Sequence, residues 1–285
     1  MFKSLSVGRL FIYGLLSIVA AYYLLPLYVM LITAFKSLDD IRQGNLLSLP
    51  IVWSIEAWSK AWSSACTGAS CEGLHNYFLN SIKMTIPSVL ISTWLGALNG
   101  YVLSMWRFKG SDILFTFILV GCFIPFQVVL LPMAHLLGSL GIANTNLGLI
   151  FVHVVYGLAF TTLFFRNFYV TLPNELVKAA RLDGAGFWVI FFRILLPISG
   201  PTFMVGIIWQ FTQIWNDFLF GVVFAGGESQ PVTVALNNLV NTSTGVKEYN
   251  VDMAAAIIAA LPTLFVYILA GRYFVRGLTA GAVKG

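Results

Sequence analysis

The sequence predicts an all-α membrane protein with six spanning helices and both termini in the cytoplasm. Three observations carry that expectation. Of the 285 residues, 59% are hydrophobic and 9% charged, whereas a soluble domain averages roughly 25% charged. The apolar residues gather into six runs, each near or above the ~20 residues that a helix needs to cross a bilayer. The basic residues between the runs fall mainly on one side. The net charge of +5 therefore reads as the cytoplasmic excess of Lys and Arg in membrane proteins. No basic patch suggests a nucleic-acid partner.

The first run, 10–35, follows Lys3 and Arg9. A cleaved signal peptide has an apolar core of about 7–15 residues and a small-residue cleavage site. This run is longer and shows no such site, so it is expected to span and stay. The other runs are 78–105, 112–136, 147–168, 198–224 and 253–274. With the N-terminus inside, the inner segments collect Arg107, Lys109, Arg166, Lys178, Arg181, Arg193, Arg272, Arg276 and Lys284. In the outer loops Lys36, Arg42, Lys60 and Lys247 are offset by Asp39, Asp40, Glu56, Glu72, Glu248 and Asp252. The chain divides into a first helix with its outer loop (1–77), a core (78–276) containing the inner loop 171–196, and a tail (277–285).

Two outer loops are long. The first, 36–77, carries Cys66 and Cys71. An oxidising periplasm lets a disulfide persist there, but the spacing leaves bridged and free thiols both open. The second, 225–252, holds an apolar patch at 232–240, expected as a short helix or strand lying on the outer surface. Prolines 26, 87, 125, 132, 197 and 262 sit in or beside spanning runs. Each removes a backbone donor and bends its helix, which suits a translocation path but is also common in spanning helices.

The inner loop is the one extended cytoplasmic segment. Pro173-Asn174 signals a helix start, with Glu175 in the first turn. Leu176, Ala179, Ala180 and Asp183 recur at three- and four-residue spacing, so one face carries a small apolar stripe. Asp183-Gly184 ends the helix, because Gly accepts the left-handed conformation of a helix terminus. Phe187, Trp188, Phe191 and Phe192 then anchor a second short helix at the membrane surface. Small alanines on an exposed helix suit an element that fits a socket; an ordinary amphipathic connector has the same pattern.

The fifth run contains WQFTQIWNDF. Gln210, Gln213 and Asp217 fall on one face, and Trp209, Thr212 and Asn216 on an adjacent one. Polar groups inside a spanning helix either face a pathway or bond to neighbouring helices, and both readings stay open here. Gln127 beside Pro125 is a further candidate, and His153 and Tyr156 are weaker ones. The histidines have no metal-ligand spacing. No nucleophile–base arrangement and no Gly-x-x-x-x-Gly-Lys-Ser/Thr phosphate loop occurs, so neither enzymatic activity nor ATP hydrolysis is expected of this chain.

Lys178, Ala179, Ala180, Gly184, Ile194, Leu196 and Pro197 resemble, position by position, the "EAA" loop of ABC importer permeases. One residue departs: Lys178 stands where the family usually has Glu. The resemblance runs on through Asn80-Ser81, Leu130-Leu131-Pro132, the segment 140–145 and Trp215-Asn216-Asp217. The tail 277–285 is similar to that of the second, G-type permease of maltose-like importers. Segments 210–220 and 235–252 look most similar to the glucose/mannose branch.

This resemblance implies a type I importer permease fold in a bacterial cytoplasmic (inner) membrane. It implies an ATPase-docking loop made of Glu175, Lys178, Ala179, Ala180, Asp183, Gly184, Ala185, Leu196 and Pro197, and a tail contact through Leu278, Thr279, Gly281 and Lys284. The implied partners are two ATPase subunits, which hold the ATP and Mg, a second permease and an extracytoplasmic sugar-binding protein. The implied cargo is a sugar, a hexose such as glucose or mannose, with an oligosaccharide or polyol as the alternative. A stand-alone secondary transporter is the reading from a different class.

Overall fold

The computed structural model describes residues 7–68, 70–106, 108–242 and 246–282, with side chains described as far as Ala270. Its helices are α1 (Val7–Ala34), α2 (Leu38–Gln43), α3 (Glu56–Ser63), α4 (His75–Met105), α5 (Ser111–Gly121), α6 (Phe126–Ser139) and α7 (Asn146–Val170). Then come α8 (Asn174–Leu182), α9 (Phe187–Ile190), a π turn (Phe191–Leu195), α10 (Leu196–Ile198), α11 (Gly200–Trp215), α12 (Leu219–Phe224), α13 (Val232–Asn241) and α14 (Tyr249–Ala282). No strand occurs among the described residues.

Among the described residues four helices, α1, α4, α7 and α14 over Tyr249–Ala270, are long and apolar enough to cross a membrane. The number reaches six if two bent pairs each count as one span: α5 with α6, bent by 103°, and the segment Phe187–Ile198 with α11, bent by 77°. The third expected run is therefore not a straight helix, and the fifth begins at the second bend and breaks again between α11 and α12. Pro125 stands just before α6; it offers no N–H and pushes Ile124 away from helical geometry. Pro201 likewise has no N–H for the carbonyl of Pro197, and the second bend falls at Ser199 between them.

The chain forms two compact units. One comprises Met1–Asn76 and Leu236–Ala260. In it α1 exposes apolar side chains along most of its length, Tyr22, Leu24 and Leu27 among them, as a helix against lipid or a neighbouring subunit would. The loop after α1 is ordered by its own polar groups. Lys36 is buried, and its ammonium donates to the Asn45 carbonyl at 3.0 Å and to Ser48 Oγ at 3.2 Å. Ser37 caps α2. Leu74 N bonds back to Ala61 O on α3 and Gly73 N to Ala65 O just after it, and a disulfide joins Cys66 to Cys71. Lys60 on α3 pairs with Glu248 at 2.5 Å.

The second unit comprises Tyr77–Ala235 and Leu261–Gly285. In it α4 and α7 approach closely. Ser92, Gly96, Gly100 and Ser104 recur every four residues on α4 and make a stripe of small residues. A Cβ on Gly96 would strike Thr161, and one on Gly100 would strike Phe165 and the backbone of Arg166. The two helices touch backbone to backbone, as small-residue stripes allow in membranes. Thr161 Oγ1 donates across the contact to the Ser92 carbonyl at 2.9 Å. The patch expected to lie on the outer surface is the helix α13. Its Val232, Val234 and Ala235 are buried, because Ser81 Oγ on α4 accepts from Val232 N at 2.8 Å and Asn80 donates to the Glu228 carbonyl at 2.6 Å.

Candidate functional site

Two places in the second unit combine exposure or open space with the residues singled out above. The first is the inner loop. α8 starts after Pro173 with Glu175 in its first turn. It ends in a Schellman arrangement: Ala185 N donates to Ala180 O at 2.8 Å and Gly184 N to Arg181 O at 3.0 Å. Gly184 has φ +82°, a conformation that glycine adopts without steric cost.

The helix is two-faced. Val177 is buried and Ala180 half-buried against a cluster containing Tyr101, Phe165, Tyr169 and Phe191. Leu176, Lys178, Ala179 and Leu182 are exposed, Leu182 by 89%. The two alanines expected to act together thus point differently: Ala179 outward and Ala180 into the core. Arg181 fixes the helix to the end of α4, its guanidinium 4.1 Å over the Trp106 ring and donating to the Met105 carbonyl at 3.3 Å. Beside it lies a cavity of about 640 Å³ lined by Ser104, Met105, Trp106, Asn174 and Arg181.

The aromatic run after α8 is more than a surface anchor. Phe191 is fully buried. Phe187 stacks on Tyr101 at 4.7 Å and meets Trp106 at 5.3 Å. Leu196, half-buried, and Pro197, exposed, follow the π turn, where Leu196 N bonds back to Phe191 O. Leu278, Thr279 and Gly281 lie within α14 beyond the described side chains, and Lys284 lies outside the described residues.

The second place is a cavity of about 220 Å³ between α7 and α11. Its lining includes Gln210, Gln213, Asp217, His153, Tyr156 and Trp209. Gln210 is buried and donates to Ser92 Oγ at 2.8 Å. A Cβ on Gly157 would overlap its carboxamide, so that glycine makes room for it. Asp217 lies in the turn after α11 instead of on the helix face, and its carboxylate accepts from Phe220 N at 3.3 Å and Gly221 N at 3.1 Å, capping α12. His153 Nε2 stands 3.8 Å from Asp217 Oδ2, buried and without a hydrogen-bond partner. Asn216 turns away, bonding the Thr212 carbonyl at 2.9 Å, and Gln127 is exposed on α6; neither lines the cavity.

Of the cavity's aromatic side, Tyr156, Phe160 and Trp209, the first is a weaker candidate from sequence and Trp209 belongs to the polar helix face, but Phe160 went unread because aromatic residues fill every spanning run. The small-residue stripe was legible as Gly96-x-x-x-Gly100 and was missed.

The sequence profile of the family described as "binding-protein-dependent transport system inner membrane component" matches residues 88–279, a span that contains α8, the π turn and the cavity. The chain belongs to that family. This permease is a multi-pass inner-membrane subunit of an ABC transporter, not its catalytic subunit. It is 47% identical over 180 residues to a probable ABC transporter permease of Pyrococcus horikoshii, covering 63% of this chain and 65% of that protein. It is 31% identical to the glucose import system permease of Saccharolobus solfataricus, covering 96% of this chain and 91% of that protein. Its fold matches a chain in the crystal structure of a bacterial ABC transporter that imports the acidic polysaccharide alginate. There the TM-score is 0.80 at 21% identity, over 96% of this chain and 99% of that one.

Proposed function

We propose that the permease carries a sugar into the cytoplasm, with α8 as the element that docks on an ATPase subunit. The observation that carries this reading is the two-faced α8. It is seated by Val177 and Ala180, capped at Gly184, and presents Leu176, Ala179 and Leu182 outward at three-residue steps. An exposed apolar face on a firmly seated helix asks for a partner. Lys178, also outward, puts a cation where the family usually has an acid, so the matching ATPase position is acidic or unpaired.

The working assembly has two ATPase subunits holding ATP and Mg, this permease, a second one and an extracytoplasmic sugar-binding protein. Both termini are cytoplasmic, and the segments 1–77, 78–276 and 277–285 serve as membrane anchor with outer loop, transport core and ATPase-contacting tail. A G-type position in the pair follows from the tail, and a hexose such as glucose is favoured by the resemblance of 210–220 and 235–252 and by the glucose permease relative.

The test is ATP-dependent uptake of labelled glucose into proteoliposomes containing the whole complex and its binding protein, with mannose and maltose as competitors. Uptake blocked by mannose but not maltose supports the hexose. ATP-driven uptake of an oligosaccharide or polyol keeps the mechanism and discards glucose. Uptake by this chain without the ATPase overturns the reading in favour of a secondary transporter.

A further inference from the structure

The α7–α11 cavity contains one atom that the protein leaves unsatisfied. His153 is 4% exposed, yet its Nε2 has no hydrogen-bond partner. A buried polar group without a partner costs free energy that native structures avoid unless a water or a ligand completes it. Across the gap, 3.8 Å away, is Asp217 Oδ2, which already accepts from Gly221 N. An ionised carboxylate oxygen has further acceptor capacity. The gap is too long for a direct hydrogen bond, but an oxygen about 2.8 Å from each group would bridge it.

We infer that His153 and Asp217 together hold one hydroxyl of the transported sugar, so that this permease, and not its partner alone, takes part in choosing the sugar. A hydroxyl is the group that fits. It donates to the carboxylate and accepts from Nε2 when that nitrogen carries the ring proton. An anionic cargo would be repelled by Asp217, and an apolar one would leave both groups unpaired. Trp209 and Tyr156 line the same cavity and supply the apolar surface that a ring's C–H face covers, while Gln213, exposed beside them, offers an amide at the rim. At about 220 Å³ the space is below the roughly 300–1,000 Å³ of pockets that enclose a whole ligand. It suits a single sugar ring held from one side.

This inference rests on the sugar-import reading, and the two fail in different ways. Initial rates of ATP-driven uptake are measured with the complete complex for glucose, mannose, xylose and the monodeoxy glucoses, each divided by the binding protein's separately measured affinity. The wild-type complex is expected to disfavour one deoxy analogue by about tenfold or more, the loss for a hydrogen bond to a charged group. The His153→Phe complex is expected to lose that discrimination, and His153→Gln, which keeps a polar group at the position, to recover part of it. A water held between the two groups would alter neither ratio. Should the Phe variant fail to assemble, the wild-type series still decides: equal corrected rates for every deoxy analogue overturn the inference. So does discrimination that persists unchanged in the variants. If no neutral sugar is taken up by the assembled complex, the sugar-import reading falls and this inference with it.

Discussion

Replacing Gly100 by Ala tests whether the α4–α7 contact sets the architecture of the permease core. A Cβ there would stand 2.7 Å from Arg166 N and from Phe165 Cβ, and 2.8 Å from the Phe165 carbonyl carbon. Carbon atoms in contact prefer about 3.5–4.0 Å, so the two helices must part by roughly 1 Å at this point. None of these atoms is the free end of a flexible side chain, so the methyl cannot be absorbed by a rotamer change. Overpacking of this kind costs about 1–3 kcal/mol. The substitution also gains helix propensity worth up to about 1 kcal/mol, which masks part of the cost. Gly14 on α1 supplies the correction, because nothing lies within 4 Å of a Cβ built there and its change to Ala adds only the propensity gain. The difference between the two variants, measured by equilibrium unfolding in mixed detergent–SDS micelles, should be about 1–3 kcal/mol against Gly100→Ala. Equal shifts in the two variants would refute the close-packing argument.

Three other outcomes are expected. Ala179→Glu should assemble normally and uncouple ATP hydrolysis from uptake, whereas Ala180→Leu should reduce the yield of folded permease, since Ala180 packs into the cluster around Phe191 and Tyr101; parallel assays of yield, ATPase and uptake separate the two, and identical behaviour would count against the two-faced helix. Gln210→Leu removes the 2.8 Å bond to Ser92 Oγ and should cost roughly 0.6–1.7 kcal/mol of unfolding free energy, the range for such bonds between membrane helices; a neutral result would mean that the amide serves the cavity alone. Maleimide labelling of the denatured, unreduced chain should modify only Cys122 of the three cysteines, and all three after reduction; three labels before reduction would remove the Cys66–Cys71 bridge.

What was legible in the sequence follows from what each signal depends on. The α8 boundaries depend on local chemistry, so Pro173-Asn174 and Asp183-Gly184 marked both ends. The orientation of Ala179 and Ala180 was not legible. Neighbouring residues on a helix differ by about 100°, and only the position of the Phe191 cluster decides which one faces inward. Composition marked the six apolar runs but could not show that one bends by 103° and that another starts at a bend of 77°, because prolines at 87 and 262 lie inside α4 and α14 without breaking them. Position within the fold, not the presence of proline, separates these cases. The face drawn through Gln210, Gln213 and Asp217 assumed a helix continuous past Trp215. The chain turns at Asn216, and Asp217 still reaches the same cavity by capping the next helix. Asp217's neighbour there, His153, is 64 positions away in sequence (217 − 153), and no local pattern could have paired them.

The proposed docking helix and the proposed sugar cavity are joined by one covalent route with few soft points. From Gly184 the chain enters α9 and the π turn, where Phe187 and Phe191 are held against Tyr101 and Trp94 by ring contacts of 4.7–5.9 Å. That segment is locked to α4, so a push on α8 cannot dissipate there as side-chain rearrangement without unpacking buried aromatic surface. The next bend, at Ser199, is buried and braced: its Oγ is within hydrogen-bond distance of Tyr169 Oη at 3.0 Å and of the Leu195 carbonyl at 2.5 Å. Beyond it α11 runs to Gln210 and Gln213 at the cavity, and Gln210 bonds back to Ser92 on α4. The route therefore closes on α4 at both ends. Such a loop resists small local displacements and moves most cheaply as a body. With the proposed ATPase contact and the proposed cargo site on the same unit, motion of α8 is expected to reach the α11 wall of the cavity together with α4. The backbone-close contact between α4 and α7 at Gly96 and Gly100 then carries His153 along with it. The cavity is thus expected to keep its shape during the cycle while its exposure to either side changes.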